Sequence, residues 1–259
     1  MVREETIPKP LFPTVFLKNK HSVDWNGRYE TPAGNARPGE TPQAQRAPRA
    51  DRPRKASAQY GRPFNEEDVE KLYAEFEPAL MMSLADYTDP IPGVIETVEA
   101  LRNRGLKIGS TTGYTDTMME VVVANALKKG YRPDFHVTPD ATHSIGRPYP
   151  YMIYRNMEEL KLTASWKVVK VGDTISDMQE GVNAGVWSVG IIVGSSEMGL
   201  SLNEYTSLPE RDKQNLISKT ADTFMQNGAD FTIKTIEELP ELIDRINLLI
   251  TEGKRPHSS

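Results

Sequence analysis

Residues 168–177 have the sequence V-V-K-V-G-D-T-I-S-D, and the fold can be worked out from this stretch outward. Its first four residues predict a buried strand, and a helix is predicted at 176–184. The pattern G-D-T-x-x-D between them places the carboxylates of Asp173 and Asp177 together where the strand ends. Such oxygens suit Mg²⁺, which takes few protein carboxylates and keeps water or phosphate as its other ligands. The alternative is that Asp177 caps the helix and Asp173 orders the turn.

Strands and helices alternate along the chain on both sides of this stretch. Further strands are predicted at 106–110, 135–138, 187–193 and 231–233, and further helices at 94–105, 115–129, 149–160, 216–225 and 236–249. This alternation is typical of an α/β protein with a doubly wound parallel sheet covered by helices on both faces. In such sheets the chemistry lies in the loops after the carboxyl ends of the strands.

Two more strand-end loops have side chains that suit an anion. Residues 109–115, G-S-T-T-G-Y-T, combine hydroxyl groups with the free amides at the start of a helix, a combination that binds phosphate. Residues 146–150, G-R-P-Y-P, offer Arg147 as a clamp for a phosphoryl oxygen, on a backbone stiffened by proline. The alternatives are that the hydroxyls only cap the helix and that Arg147 is a surface side chain in a turn.

The composition narrows the class of protein. The chain has 259 residues, a net charge of −5 and no cysteine, which excludes disulfides, thiolate zinc sites and cysteine nucleophiles. The longest aliphatic stretches are too short to span a bilayer, and residues 1–13 lack the apolar region of a secretion signal. We therefore expect a cytoplasmic protein that neither inserts into membranes nor is exported.

The first part of the chain differs from the rest. Residues 1–63 contain 12 Lys or Arg against 6 Asp or Glu, and 9 of the 19 prolines. Between residues 28 and 63 the only large apolar side chains are Tyr29 and Tyr60, so this stretch buries too little surface to offset the entropy of ordering. Residues 1–56 are therefore predicted to be disordered. A basic arm for nucleic acid is the alternative, but no aromatic residues are interleaved with the charges for base stacking.

Five stretches of the chain have the order and spacing of the motifs of a known family. They are I-G-S-T-T-G-Y-T at 108–115, Y-R-P-D-F-H-V-T-P-D at 131–140, G-R-P-Y-P at 146–150, V-G-D-T-I-S-D at 171–177 and G-S-S-E-M-G-L at 194–200. With this set the chain resembles the haloacid dehalogenase superfamily and, within it, the phosphonatase (phosphonoacetaldehyde hydrolase) family. The resemblance covers roughly residues 57–250 and depends chiefly on the third and fifth stretches.

The resemblance implies a role for each candidate residue. Thr112 would hydrogen-bond the transferring phosphoryl group, and Arg147 would neutralise the charge of the nucleophile and the phosphoryl group. Asp173 would bind Mg²⁺, the implied cofactor, and Asp177 would support the metal site. In this family an aspartate at the end of the first strand attacks phosphorus after a lysine of the cap domain has formed a Schiff base with the aldehyde.

The nucleophile suggested by the resemblance is Asp24. Its context, V-D-W-N-G-R at 23–28, matches the Asp-Trp-x-Gly pattern of the family, but polar residues at 18–22 stand where the family has a buried strand. A chance match is therefore the alternative. If the match holds, Asp24 is the residue that attacks phosphorus.

The cap domain is where the chain departs most from the family. The segment between Asp24 and Ser57 is too short for the cap helices, and Lys55 lies in a different context, so no Schiff-base lysine is assigned. Residues 57–88 are predicted to be a helical remnant of the cap, and residues 89–259 the core domain. One hypothesis is that the residues before about 57 come from a shifted reading frame, a wrong start or a degenerating gene.

Three functions follow from these observations. The first is a hydrolase of the phosphonatase type, which cleaves the carbon–phosphorus bond of phosphonoacetaldehyde to acetaldehyde and phosphate. The second is a Mg²⁺-dependent phosphatase of the same superfamily, and the third is a relative without catalytic activity. The expected partner is a small phosphonate, with no nucleic acid and no membrane. The resemblance also implies a homodimer, although the dimer of the family forms through the cap.

Overall fold

Among the described residues, six strands form one sheet. They are β1 (Thr14–Phe16), β2 (Lys107–Thr111), β3 (Phe135–Val137), β4 (Val168–Gly172), β5 (Trp187–Ile191) and β6 (Phe231–Ile233). Their order across the sheet is β3-β2-β1-β4-β5-β6. The structure is a computed structural model and describes residues 14–16, 78, 80, 81, 84, 85 and 88–258.

The helices lie between the strands in the chain, as the alternating pattern predicts. Within residues 88–258 they are α1 (Val94–Asn103), α2 (Asp116–Lys128), α3 (Tyr151–Glu159), α4 (Ile175–Ala184), α5 (Leu202–Ser207), α6 (Glu210–Gln226) and α7 (Leu239–Thr251). Short 3₁₀ turns occupy Pro139–Thr142, Ser165–Lys167 and Ile236–Glu238. In the part of the chain described, no helix is both long and apolar enough to cross a membrane.

The two faces of β4 pack against different helices. Val169 and Val171 belong to the main apolar core, together with side chains of α1 and α7. Val168 belongs to a second cluster with residues of α3 and α4. Because side chains alternate along a strand, Lys170 points to the same face as Val168, towards α4. Every residue of β4 and of β5 is buried, as expected for strands covered on both faces.

The predicted doubly wound sheet is confirmed for five of the six strands. β2 pairs in parallel with β3, β4 with β5, and β5 with β6. β1 is the exception, because it lies between β2 and β4 and runs antiparallel to both. The predicted doubly wound parallel sheet is thus confirmed, and among the described strands β1, the third of six, runs against the others.

The pairing of β1 shows which way it runs relative to the site edge. Phe16, its last residue, lies opposite Lys107 and Val168, the first residues of β2 and β4. The carboxyl end of β1 is thus at the opposite edge of the sheet from the loops that follow β2 and β4.

Two predictions about the first part of the chain can be compared with the structure only in part. Residues 14–16 lie in the stretch predicted to be disordered and form β1, since T-V-F is a short run of β-branched and aromatic residues that fits a strand. Within the predicted cap remnant, the described residues Leu80 and Leu84 are buried against α2. The other residues before 88 lie outside the described part of the chain.

Candidate active site

The loop after β4 places Asp173 and Asp177 at the sheet edge. A Cβ added at Gly172 would lie 2.2 Å from the Cβ of Asp177, so only glycine lets the first turn of α4 fold back over the strand end. Thr174 is the N-cap of α4, and its Oγ1 accepts a hydrogen bond from the Asp177 amide at 3.1 Å. The Oδ2 atom of Asp177 accepts in turn from the Thr174 amide at 3.1 Å and from its hydroxyl at 2.6 Å. The capping alternative is thus present in the fold.

The other carboxylate oxygen of Asp177 lies between two cations. Oδ1 accepts a hydrogen bond from Nη1 of Arg147, and Nζ of Lys170 lies 3.1 Å from it. Burial by itself would raise the pKa of Asp177, but the Arg147 and Lys170 charges and the Thr174 hydrogen bond hold it well below its usual range. Asp177 is therefore a buried carboxylate with both oxygens engaged by protein groups.

Asp173 has a different environment from Asp177. Its Oδ2 accepts hydrogen bonds from the amide of Ser196 at 3.0 Å and from the Ser196 hydroxyl at 2.6 Å. Burial and the negative charge of Asp177 raise the pKa of Asp173 to about 6, and the Ser196 bonds and Arg147 only partly offset this. The ionised form of Asp173 is thus short of positive charge, a deficit that a bound cation would remove.

Arg147 comes from the loop before α3 and reaches the same site. Its side chain is mostly buried, with Nη1 on Asp177, and its Nε has no hydrogen-bond partner among the described residues. Burial would lower the pKa of Arg147, but the Asp177, Glu180 and Asp173 charges raise it above its ordinary value. The alternative of an exposed Arg147 in a surface turn is wrong, because the carboxylates of α4 hold the side chain inward.

Thr112 lies directly after β2, at the edge of the sheet where Asp173 follows β4. Its side chain is buried, and its Oγ1 accepts a hydrogen bond from the Tyr114 amide at 3.1 Å. A Cβ on the neighbouring Gly113 would lie 3.5 Å from Nη2 of Arg147, so the turn at 112–113 lies beside the guanidinium. The hydroxyl that caps α2 is that of Thr115, which accepts from the Met118 amide. The structure therefore brings Thr112, Arg147, Asp173 and Asp177 together at one edge of the sheet.

Sequence reasoning missed four polar residues of this site. Ser196 holds Asp173, and a buried cluster of Lys170, Thr111 and Glu180 lies behind Asp177. The side chain of Lys170 is charged, yet it is only 2% exposed, because Lys170 lies in the fully buried strand β4. The signal in the sequence was a lysine within V-V-K-V-G, since a charged residue in a fully buried strand needs a partner.

The predicted nucleophile Asp24 and Lys55 lie outside the described residues. The orientation of β1 bears on the strand that the resemblance places before the nucleophile. That strand would run parallel to β2 and β4, so that its carboxyl end lies beside Thr112 and Asp173, whereas β1 runs the other way. The prediction for Asp24 stays a prediction.

The acidic side chains that could bind a metal are few. Across the described residues, no group of three or more His, Asp or Glu side chains is arranged to hold a metal ion. Asp173 and Asp177 form a pair, and both oxygens of Asp177 are already engaged. Asp173 is therefore the better placed metal ligand of the two.

Comparisons with known proteins relate the chain to a family of hydrolases. A sequence model of the haloacid dehalogenase-like hydrolases matches residues 18–185, a range that includes Asp24 and all four residues at the sheet edge. The phosphonoacetaldehyde hydrolase of Lysinibacillus sphaericus (strain C3-41) is 57% identical over 184 residues, which are 71% of this chain and 68% of that protein. The phosphonoacetaldehyde hydrolase of Parabacteroides distasonis is 52% identical over 193 residues, covering 74% of this chain and 73% of the relative.

A solved structure shows the same similarity in three dimensions. The crystal structure of a phosphonoacetaldehyde hydrolase-like protein from Oleispira antarctica superposes with a TM-score of 0.74 and 29% sequence identity. The superposition covers 80% of this chain and 75% of that one. Sequence and structure thus relate the chain to the same group of proteins.

Proposed function

The chain belongs to the haloacid dehalogenase-like hydrolases and, within them, to the phosphonoacetaldehyde hydrolases, and from this premise we propose that it hydrolyses the carbon–phosphorus bond of phosphonoacetaldehyde. Water is consumed: phosphorus gains oxygen to give phosphate, and carbon gains hydrogen to give acetaldehyde. The observation that supports the proposal most is that Arg147, Thr112 and Asp173, from three loops far apart in the chain, meet at one sheet edge.

Arg147 and Thr112 would bind the phosphoryl oxygens. With Nη1 on Asp177, the buried Nε of Arg147 still has an unused hydrogen, and Nη2 lies towards the turn at Gly113. The hydroxyl of Thr112 accepts from an amide and so keeps its own hydrogen for an acceptor. Charge-assisted bonds from a fixed guanidinium suit a transferring phosphoryl group, whose negative charge is spread over its oxygens.

Asp173 would hold Mg²⁺. The fit rests on its buried carboxylate, whose raised pKa reflects missing positive charge, and on the preference of Mg²⁺ for a site with few protein oxygens. When bound, the ion would neutralise negative charge on the phosphoryl group. Asp177 would act on Arg147 and on the first turn of α4, because its two oxygens are occupied there.

The nucleophile and the Schiff-base lysine complete the proposal. Asp24 is the proposed nucleophile, and its place inside the range matched by the family supports it. Lys170 is not suited to form an imine, because its amine lies buried against Asp177, Glu180 and Thr111. No described lysine is proposed for that role.

Two observations favour other functions. No lysine of the chain is assigned as the Schiff-base residue, and a Mg²⁺-dependent phosphatase, which hydrolyses monoesters without an imine, needs none. The antiparallel direction of β1 favours a relative without catalytic activity, which would retain the phosphate and metal loops for binding alone. Both are alternatives that one assay can separate.

The experiment uses the purified full-length chain with Mg²⁺. Acetaldehyde is measured from phosphonoacetaldehyde, and phosphate is measured from p-nitrophenyl phosphate. We expect acetaldehyde and phosphate in equal amounts from the phosphonate. Phosphate from the monoester alone would favour the phosphatase, and no product from either substrate would overturn the proposal.

A pair of substitutions tests the nucleophile in the same assay. Asp24→Asn is expected to abolish acetaldehyde formation, because an amide cannot attack phosphorus. Asp212→Asn, on the exposed face of α6, is the control for loss of an acidic charge. Full activity of Asp24→Asn would remove Asp24 as the nucleophile.

A further inference from the structure

Lys170 is a buried lysine whose contacts are all at the base of the site. Its Nζ donates a hydrogen bond to Oγ1 of Thr111 at 2.7 Å and lies 2.8 Å from Oε2 of Glu180 and 3.1 Å from Oδ1 of Asp177. These three acceptors match the three hydrogens of an ammonium group. Thr111 belongs to β2, and Asp177 and Glu180 belong to α4. The side chain of Lys170 therefore links β4 to both of these elements.

Stability alone does not explain such a lysine. Taking an ammonium and its carboxylate partners out of water costs free energy, and well-packed apolar side chains of similar volume often serve as well or better. The neighbouring positions in β4 are valine, on both faces of the sheet. The lysine therefore calls for a reason other than packing.

The geometry of Asp177 supplies that reason. Its Oδ1 is shared by two cations: Lys170, which belongs to β4, and Arg147, which belongs to the loop before α3. If Asp177 had Arg147 as its sole cation, the pair would be neutral, and an incoming anion would compete with the carboxylate for the guanidinium. With Lys170 also present, part of the carboxylate charge is neutralised from inside the protein.

We propose that Lys170 is a positioning residue, an internal counter-ion of Asp177 that leaves the charge of Arg147 available to a phosphoryl anion. Glu180 and Thr111 hold the lysine in place, with Oε2 of Glu180 also accepting from Thr111 at 3.1 Å. Lys170 does not touch the substrate in this proposal and acts through Asp177 and Arg147. The inference deepens the proposed function and rests on the phosphoryl-binding role given there to Arg147.

Inorganic phosphate, titrated calorimetrically without added metal, is the probe. Lys170→Met would leave the buried carboxylate of Glu180 without a cation and with a hydrogen bond from Thr111, so that variant alone is expected to be unstable. The decisive variant is Lys170→Met with Glu180→Gln, which removes one positive and one negative charge and keeps the net charge of the cluster. Lys219→Met, at an exposed position of α6, is the control for loss of a lysine elsewhere.

We expect the double variant to unfold at nearly the same denaturant concentration as the wild type, yet to bind phosphate about tenfold or more weakly, the scale of one charge-assisted hydrogen bond. Lys219→Met should bind phosphate as the wild type does. In the acetaldehyde assay, KM should rise more than kcat falls, because the loss concerns anion binding.

Wild-type phosphate affinity in the double variant would overturn the inference, since Lys170 would then serve only to pair Glu180. A wild-type protein that does not bind phosphate would also overturn it. A wild-type protein that binds phosphate but makes no acetaldehyde would refute the proposed function and leave the inference to be decided by the double variant. The two failures are therefore distinguishable.

Discussion

At the scale of single residues, Asp173 and Asp177 show that two acids of one loop can have opposite electrostatic properties. Asp177 faces two cations, so its pKa is held low and its charge contributes to the folded state. Asp173 is buried and faces the negative Asp177, which together raise its pKa to about 6, and the hydrogen bonds from Ser196 and the charge of Arg147 offset this only in part. Asp177 therefore holds the side chains of the site in place, and the carboxylate of Asp173 is the one proposed to bind a ligand.

A stability measurement on Asp173→Asn tests this difference. The folded protein holds the Asp173 proton up to about pH 6, whereas an unfolded chain releases it near its ordinary pKa of 3.8. The folded state thus binds more protons between these values, and the contribution of Asp173 to stability falls as the pH rises through this window. In EDTA at pH 8, Asp173→Asn should raise the free energy of unfolding by about 1 to 3 kcal/mol.

The gain should disappear below about pH 3, where Asp173 is protonated in both states. Denaturant unfolding of the wild type and of Asp173→Asn at several pH values measures this gain in stability. In the activity assay, Asp173→Asn should no longer form acetaldehyde. A variant that is less stable than the wild type at pH 8 would contradict the assignment of Asp173 as a carboxylate lacking positive charge.

At the scale of elements, β1 is the part of the sheet that departs most from expectation. It has only three residues, yet it occupies the middle of the sheet and pairs with β2 on one side and β4 on the other. Without it, both neighbours would expose a row of unpaired backbone groups. Its pairing is therefore expected to matter far more for stability than its length suggests.

Val15→Pro tests the position of β1. Val15 lies opposite Ile108 in β2 and Val169 in β4, so a proline there would remove a backbone donor from the centre of the sheet. We expect a loss of about 3 kcal/mol or more in the free energy of unfolding, measured with denaturant. Val15→Thr, which keeps the amide and the β-branched shape, is the matched control. Equal stability of Val15→Pro and Val15→Thr would show that β1 is not the middle strand.

At the scale of the whole molecule, the last residues of the chain fold back onto the sheet. The backbone amide of His257 donates to Oδ1 of Asp230 at 2.7 Å, and its Nδ1 lies 3.3 Å from the same oxygen. Oδ2 of Asp230 accepts from the amide of Ser188 in β5 at 2.8 Å. The guanidinium of Arg255 lies over the ring of Trp166, 4.3 Å from its centroid. Asp230 therefore links the end of the chain to the sheet.

His257 makes this link dependent on pH. Partial burial lowers its pKa, but the hydrogen bond and charge of Asp230 outweigh burial, so the pKa lies above its usual 6.5. The pair is thus fully charged below about pH 6.5, and its contribution is lost as the pH rises through the raised pKa of the folded state. His257→Asn should cost up to about 1 kcal/mol at pH 5.5, because the pair is partly exposed, and less at pH 9.

Asparagine suits the left-handed backbone at position 257, and its backbone amide can still donate the hydrogen bond to Asp230. The substitution therefore isolates the effect of the imidazole charge. Thermal or denaturant unfolding at the two pH values measures the difference. A cost that is the same at both pH values would show that the charge of His257 contributes nothing.

The sequence by itself determined the alternation of strands and helices, because hydrophobic periodicity and capping residues act over a few neighbours. It also determined which loops carry the site, since parallel strands end at one edge and place Thr112, Arg147 and Asp173 there. Residues 216–225, predicted to be part of a helix, lie within α6, whose polar first turns from Glu210 carried no apolar periodicity.

Only the tertiary structure decided which charges meet. Lys170 donates a hydrogen bond to Thr111, 59 positions away in the chain, and Arg147 donates one to Asp177, 30 positions away. The contacts of Arg147 and Lys170 engage Oδ1 of Asp177, while the neighbouring Thr174 engages Oδ2, so Asp173 is left as the better placed metal ligand. The direction of β1 likewise depends on pairing with distant strands. The physical reason is that electrostatic and ladder partners depend on separation in space, which a local pattern of residues does not contain.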